Sequence, residues 1–163
     1  MDIDDLRVLN YQEAVKSSQK SIYSGLMISV FTYFLGAGDL GESGTIPLLN
    51  IELTKENSTI YILSALYFYC GLHCSFSVHR AKQIHKSIEN PDISRATLYF
   101  PSFINSNQFY KTMLAGILLG VWYTVYFYSG IFDQIWRSVL LGTFVSSPYF
   151  YSLKLGDSLA PKG

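Results

Sequence analysis

Residues 113–155 read MLAGILLGVWYTVYFYSGIFDQIWRSVLLGTFVSSPYFYSLKL, interrupted once by Ser-Gly-Ile-Phe-Asp at 129–133 and carrying one interior charge, Arg137. On each side lie roughly 20 mostly apolar residues, about the length an α-helix needs to cross the hydrocarbon core of a bilayer. Two such runs joined so closely read as a transmembrane hairpin, and the remainder of the chain is read outward from it.

Upstream, two further runs have the same character. Residues 21–38 hold an uncharged core and close on Gly-Ala-Gly-Asp, which is good helix-terminating chemistry. Residues 59–78 are oily in their first half and polar in their second, where Cys70, Gly71, His73, Cys74, Ser75 and Ser77 occur. Polar groups are costly in hydrocarbon, so that half is expected to face other helices or a cavity. The spans are therefore expected at about 21–38, 59–78, 113–128 and 134–155. Asp133 reads as the N-cap of the last, and Pro148 as the site of a kink in it.

The connecting segments are short. Residues 1–20 read as a separate amphipathic helix with Ile3, Leu6 and Leu9 near one face. Residues 45–53, TIPLLNIEL, read as an extended segment or a small hairpin turning near Leu49-Asn50, within an outer loop at 39–58. The segment 79–112 contains a helical stretch after Arg80, a break at Asn90-Pro91-Asp92, and a second short helix capped by Asp92 and running to Tyr99. A short tail, 156–163, follows the last span.

Composition agrees with this reading. Of 163 residues, 49% are hydrophobic and only 15% charged, against about a quarter charged in a soluble domain. Net charge is zero, so no global field points to nucleic acid. The two cysteines fall inside one apolar run, which excludes a disulfide framework or a zinc ribbon. The acidic N-terminus lacks the basic start of a cleavable leader, so the first run is expected to act as an uncleaved anchor.

Sidedness follows from the basic residues. Arg7, Lys16, Lys20, Arg80, Lys82, Lys86, Arg95, Lys111, Lys154 and Lys162 would share one side; only Lys55 and Arg137 fall on the other. By the positive-inside rule both termini and the 79–112 segment are cytoplasmic. Trp136, Tyr149 and Tyr151 suit interfacial belts, and Arg137 is expected to snorkel outward toward Asp133.

Few constellations carry chemistry. Cys70, His73 and Cys74 share one helix face at a spacing that could hold a soft metal, but three ligands on one helix are better read as a polar packing face, with His73 hydrogen-bonded across the bundle. Arg80 and His85 have the Arg-x4-His spacing of some helical ribonucleases, yet basic residues are expected at the cytosolic end of a span in any case; Arg80, Lys82, His85 and Lys86 are read as a surface for a cytosolic partner. Gly116 and Gly120 form a GxxxG, and Gly142 and Ser146 a similar small-residue strip, as candidate helix-packing or oligomer contacts. No carboxylate falls mid-span, which argues against a proton-coupled multidrug transporter.

The arrangement of run, 45–53 segment and run resembles the membrane module of pentapeptide-repeat membrane proteins and the small multispan subunits of antiphage systems of the Kiwa type. The resemblance covers roughly residues 21–80 and includes no pentapeptide repeat. It implies a bacterial inner-membrane protein that assembles with itself and works with a cytosolic protein; it carries over no catalytic residue.

The expectation is thus an all-α polytopic membrane protein, four transmembrane helices with a small extended or β segment outside. Roughly 50 residues lie on the cytosolic side, near the size at which a domain is marginal alone, so an enzyme is not expected, and neither is a cofactor, a metal or direct contact with nucleic acid. The expected role is a self-associating subunit that anchors or signals to a cytosolic partner in antiphage defence. A pore-forming oligomer and an immunity protein against a pore-forming toxin are the alternatives.

Overall fold

A computed structural model describes residues 3–37, 43–46, 51–54, 57–132 and 134–159. Among these the fold is all-α apart from one short strand pair. The order is α1 (Ile3–Ala37), β1 (Ser43–Ile46), β2 (Ile51–Thr54), α2 (Asn57–Ser87), α3 (Pro91–Thr97), α4 (Gln108–Tyr128) and α5 (Ile135–Gly156), followed by a 3-10 turn, Asp157–Leu159.

The two longest helices cross boundaries that composition had drawn. The expected break between residues 20 and 21 is absent: α1 runs unbroken for 35 residues, about 52 Å at 1.5 Å per residue. No Pro or Gly occurs in it before Gly25, and the serines near the expected boundary turn inward to its own carbonyls. Ser18 Oγ donates to Val15 O at 2.7 Å and Ser21 Oγ to Ser17 O at 3.1 Å. Likewise α2 continues through residue 78 to Ser87.

The four long helices form a bundle in the cyclic order α1-α2-α5-α4, with α3 against one end of α1 and α2. Their buried stripes follow a heptad. In α1 it falls on Asp4, Tyr11, Ser18, Gly25 and Thr32; in α5 on Ser138, Val145 and Ser152, and on Gly142, Tyr149 and Gly156. A seven-residue repeat is the signature of helices packed in a left-handed supercoil. The seam is unusual in what it contains. Ser18, Ser29, Thr32, Ser138 and Ser146 have no exposed surface, whereas Met27 is 71% exposed and Phe76 73%.

Local chemistry explains the ends. Asn90, rather than Asp92, caps α3: its Oδ1 accepts from the N–H groups of Asp92 and Ile93, and Pro91, whose ring fixes φ, takes the first helical position. Asn107 caps α4 by accepting from Tyr110 N at 3.1 Å. The N-cap of α5 is Gln134, with no side-chain cap bond; Asp133, expected there, lies outside the described residues. Gly130, at φ 68°, supplies the left-handed turn between α4 and α5.

Pro148 lies inside α5 without ending it. Its missing N–H would leave the Phe144 carbonyl without a donor, and Ser147 Oγ donates to that carbonyl at 2.7 Å instead. Outside the bundle, β1 and β2 are antiparallel and close on the pair Ile46↔Ile51. The turn expected near Leu49-Asn50 and the proline expected at a sheet edge, Pro47, lie outside the described residues.

Candidate functional site

Two clusters stand out, one on the bundle axis and one at the end where α3 packs.

On the axis four aromatic rings from three helices meet. The Tyr67 ring centroid lies 4.9 Å from that of Trp122 and 4.8 Å from that of Tyr149, and Trp122 lies 5.5 Å from Tyr126. All four side chains are buried. Their polar tips reach small hydroxyl residues across the bundle. Trp122 Nε1 donates to Ser29 Oγ at 2.9 Å, the Tyr126 hydroxyl donates to Ser64 Oγ at 2.6 Å, and the Tyr67 hydroxyl and Ser146 Oγ are 3.2 Å apart. The Tyr149 hydroxyl donates to the Tyr67 carbonyl at 3.1 Å. Each serine thus pairs with a ring that would otherwise bury an unpartnered donor.

Room for these rings comes from missing side chains. A Cβ on Gly25 would collide with the Tyr149 hydroxyl, and one on Gly71 would meet the Tyr149 ring at 2.8 Å and Pro148 Cβ at 3.1 Å. Tyr149 is therefore a core residue and not the interfacial aromatic expected from its place near the end of the last run. Nothing in hydropathy marks these four rings as a cluster. The available signal was the heptad itself, which places Ser64, Tyr67, Gly71, Cys74 and Val78 on one face.

The expected packing residues divide. Gly142 abuts the α4 backbone, where an added Cβ would lie 3.3 Å from Tyr123 N, and Ser146 Oγ donates to Leu118 O at 3.4 Å. Gly116 and Gly120 face away from this contact, are exposed, and would meet nothing within 4 Å if given a Cβ. Gly120 borders an open groove of about 470 Å³ between α1 and α4, lined also by Val30, Phe34 and Ile117.

The polar half of α2 faces its neighbours through hydroxyls. Ser75 Oγ donates to Pro148 O at 2.7 Å, and Ser77 Oγ to Ser17 Oγ at 3.4 Å. His73 is exposed, with Nδ1 2.8 Å from Ser21 Oγ on α1. Cys70 is half-buried and Cys74 fully buried. Among the described residues no group of three or more His, Cys, Asp or Glu could hold a metal ion.

At the other cluster, the first turn of α1 is clamped to the end of α2. Arg7 Nη1 donates to Asp4 Oδ1 at 2.9 Å and to Glu89 Oε1 at 3.1 Å, while Asn90 N donates to Asp4 Oδ2 at 3.0 Å. The Arg7 side chain and then the Asn90 N–H hold the Asp4 carboxyl below its ordinary value, and Asp4 and Glu89 raise that of Arg7. Tyr11 is fully buried beside Asn105, whose Nδ2 donates to its hydroxyl at 3.2 Å, and burial pushes the phenol upward.

The basic residues named for a partner surface differ in placement. Arg80 and Lys86 are exposed and Lys82 is half-buried. His85 turns inward: Nδ1 lies 3.0 Å from Thr97 Oγ1, its ring is 6.1 Å from that of Tyr11, and burial lowers its pKa. Around them Leu9, at 55%, and Tyr99, at 69%, are exposed. A shallow groove of about 370 Å³ between α1 and α3 is bounded by Val8, Gln12, Ile93 and Pro101. Arg137 is exposed at the opposite end of the bundle, its guanidinium 5.4 Å from the Trp136 ring centroid.

Of the described helices, α2 alone is long and apolar enough to cross a membrane by length and composition. No protein-family model, curated protein or solved structure matches this chain.

Proposed function

We propose that the chain is a non-enzymatic membrane subunit, with α1, α2, α4 and α5 all within the bilayer, that associates with itself and anchors or signals to a cytosolic protein. One observation carries this reading: large apolar side chains form a belt on the outside of a bundle whose apolar core is interleaved with hydroxyl residues and glycines. Serines, threonines and glycines share its seam with Val15, Ile22, Leu63, Leu118 and the four rings, and large apolar side chains such as Met27, Ile62, Phe76, Leu140 and Phe144 point outward. In water that arrangement would leave a large apolar surface exposed to solvent. In lipid it is ordinary, because small residues let backbones approach and hydroxyls bond across helices while the tails solvate the apolar belt. The belt lies on all four helices, and a partner protein would cover one side only.

Uncharged stretches in the four helices support the same reading. They cover residues 21–37, 57–78, 112–128 and 138–153, roughly 24–33 Å each at 1.5 Å per residue, close to the hydrocarbon thickness. The basic residues at one end favour a cytoplasmic side there, with the Asp4–Arg7–Glu89 clamp, Leu9 and Tyr99 as the proposed docking head. Continuity of α1 and α2 from belt to head supports a signalling role, since a tilt of either helix moves both. Outward-facing Gly116 and Gly120, with open space around them, are the contact proposed for self-association. A bacterial inner membrane and a role in antiphage defence complete the proposal; these rest on the resemblance of residues 21–80 described above.

Site-specific photo-cross-linking in the native membrane tests it. A cross-linker at Leu9 or Tyr99 should trap a soluble protein and one at Met27 should not; cross-links to soluble protein from Met27 would contradict the proposal. A pore through one chain is disfavoured by the four rings on its axis, so the pore alternative requires a lumen between chains, and dye influx on expression is its test.

A further inference from the structure

A groove of about 420 Å³ opens between the cytosolic ends of α4 and α5. Helix α4 lines it at positions i, i+3, i+4 and i+7, α5 and its C-cap Asp157 do the same, and its polarity changes along the helix axis. At its mouth stand Gln108, Lys111, Lys154 and Asp157; one to two turns in stand Ala115 and Phe150. Seven residues of helix separate Gln108 from Ala115 and Phe150 from Asp157, about 10 Å along the axis. Lys111 is nine-tenths buried or more, and its Nζ donates to Asp157 Oδ1 at 2.9 Å. That pair is internally neutral. Lys154 is exposed and has no ion pair among the described residues, leaving the mouth with one uncompensated positive charge.

We infer that this groove binds one anionic phospholipid, its phosphodiester at Lys154 beside the Lys111–Asp157 pair and its glycerol and upper acyl chains along Ala115 and Phe150. The inference rests on the membrane reading above, with this end of the bundle on the cytosolic side. One net positive charge matches the single charge of a phosphodiester, and an apolar wall below the charge matches a diacylglycerol but not a free phosphate. Basic pockets between membrane helices on the cytoplasmic side take anionic headgroups by this chemistry.

Native mass spectrometry of the detergent-purified full chain tests it, using phosphatidylglycerol and phosphatidylcholine of identical chains, with glycerol phosphate as a competitor. Phosphatidylglycerol should be retained over phosphatidylcholine. Lys154→Gln should weaken that retention roughly fivefold, the weight of one lysine at an anionic lipid surface, while Lys20→Gln, at an exposed lysine of α1, should leave it unchanged. Equal retention of the two lipids, or a Lys154→Gln variant that binds like the parent, overturns the inference. Displacement of the lipid by equimolar glycerol phosphate overturns the lipid as the source of the phosphate. Failure of the membrane reading looks different: the chain would remain monodisperse without any detergent.

Discussion

The hydroxyl of Tyr149 donates to the main-chain carbonyl of Tyr67 at 3.1 Å, and the two rings lie 4.8 Å apart. This contact joins α5 to α2 at the centre of the bundle, over Gly25 and Gly71, which leave space for it. It is where helix spacing, polar satisfaction and ring packing meet.

Tyr149→Phe removes one hydrogen bond and should cost about 0.5–1.5 kcal/mol. Gly71→Val sets a branched side chain against the Tyr149 ring and should cost about 1–3 kcal/mol by overpacking. Gly120→Ala, at a glycine with nothing within 4 Å of its Cβ, should be neutral or slightly stabilising in the helix. Reversible unfolding in mixed micelles measures all three, and a Gly71→Val variant as stable as Gly120→Ala would contradict the packing described.

The outward glycines Gly116 and Gly120 are the contact proposed between copies. Gly116→Leu with Gly120→Leu should leave the single chain folded and weaken self-association by roughly 1 kcal/mol, about fivefold in Kd. Energy transfer between labelled copies in vesicles reads this directly. Unchanged association would place the contact between copies elsewhere.

The end of the bundle that holds Asp4 and His85 should respond to pH through two groups of opposite sign of charge. Asp4 has a lowered carboxyl pKa, so its charged form adds stability above about pH 4, and that contribution is lost as pH falls through the lowered folded value. His85 has a lowered imidazole pKa and is held neutral, so charging it opposes folding as pH falls below its ordinary value of 6.5. Both make the head less stable in acid. Hydrogen-exchange protection near Tyr11 and Thr97, corrected for the intrinsic pH dependence of exchange, should therefore fall between pH 7 and pH 5 in the parent. It should do so less in His85→Gln, and Asp4→Asn should remove the response below pH 4. A head equally protected at pH 7 and pH 5 would contradict the placement of His85.

Much of the helical architecture could be read from the chain, because apolar runs and their breakers mark helices directly. Asn90-Pro91 and Gly130 fall where the structure turns, and the strand pair Ile46↔Ile51 flanks the segment where a hairpin was expected. The interior could not be read the same way. Hydropathy points to Met27 and Phe76, which lie outside, while one buried column of α1 reads Asp, Tyr, Ser, Gly, Thr at every seventh residue, beside Val15, Ile22 and Leu35. Boundaries at residues 20 and 78 followed charge, which changes where the surroundings change; the backbone hydrogen bonds of α1 and α2 continue regardless. His85 was read by type as part of a basic surface, and only its contact with Thr97 reveals that it faces inward.

The central claim is that α2 passes through a bilayer with its two ends on opposite sides. Asn57 and Lys86 are both exposed, at opposite ends of that helix. In intact cells, on a background with Cys70 and Cys74 replaced by serine and alanine, a membrane-impermeant maleimide should label Asn57→Cys at once and Lys86→Cys only after the membrane is opened. Labelling of both positions without permeabilisation, or release of the protein from membranes by carbonate, would contradict it.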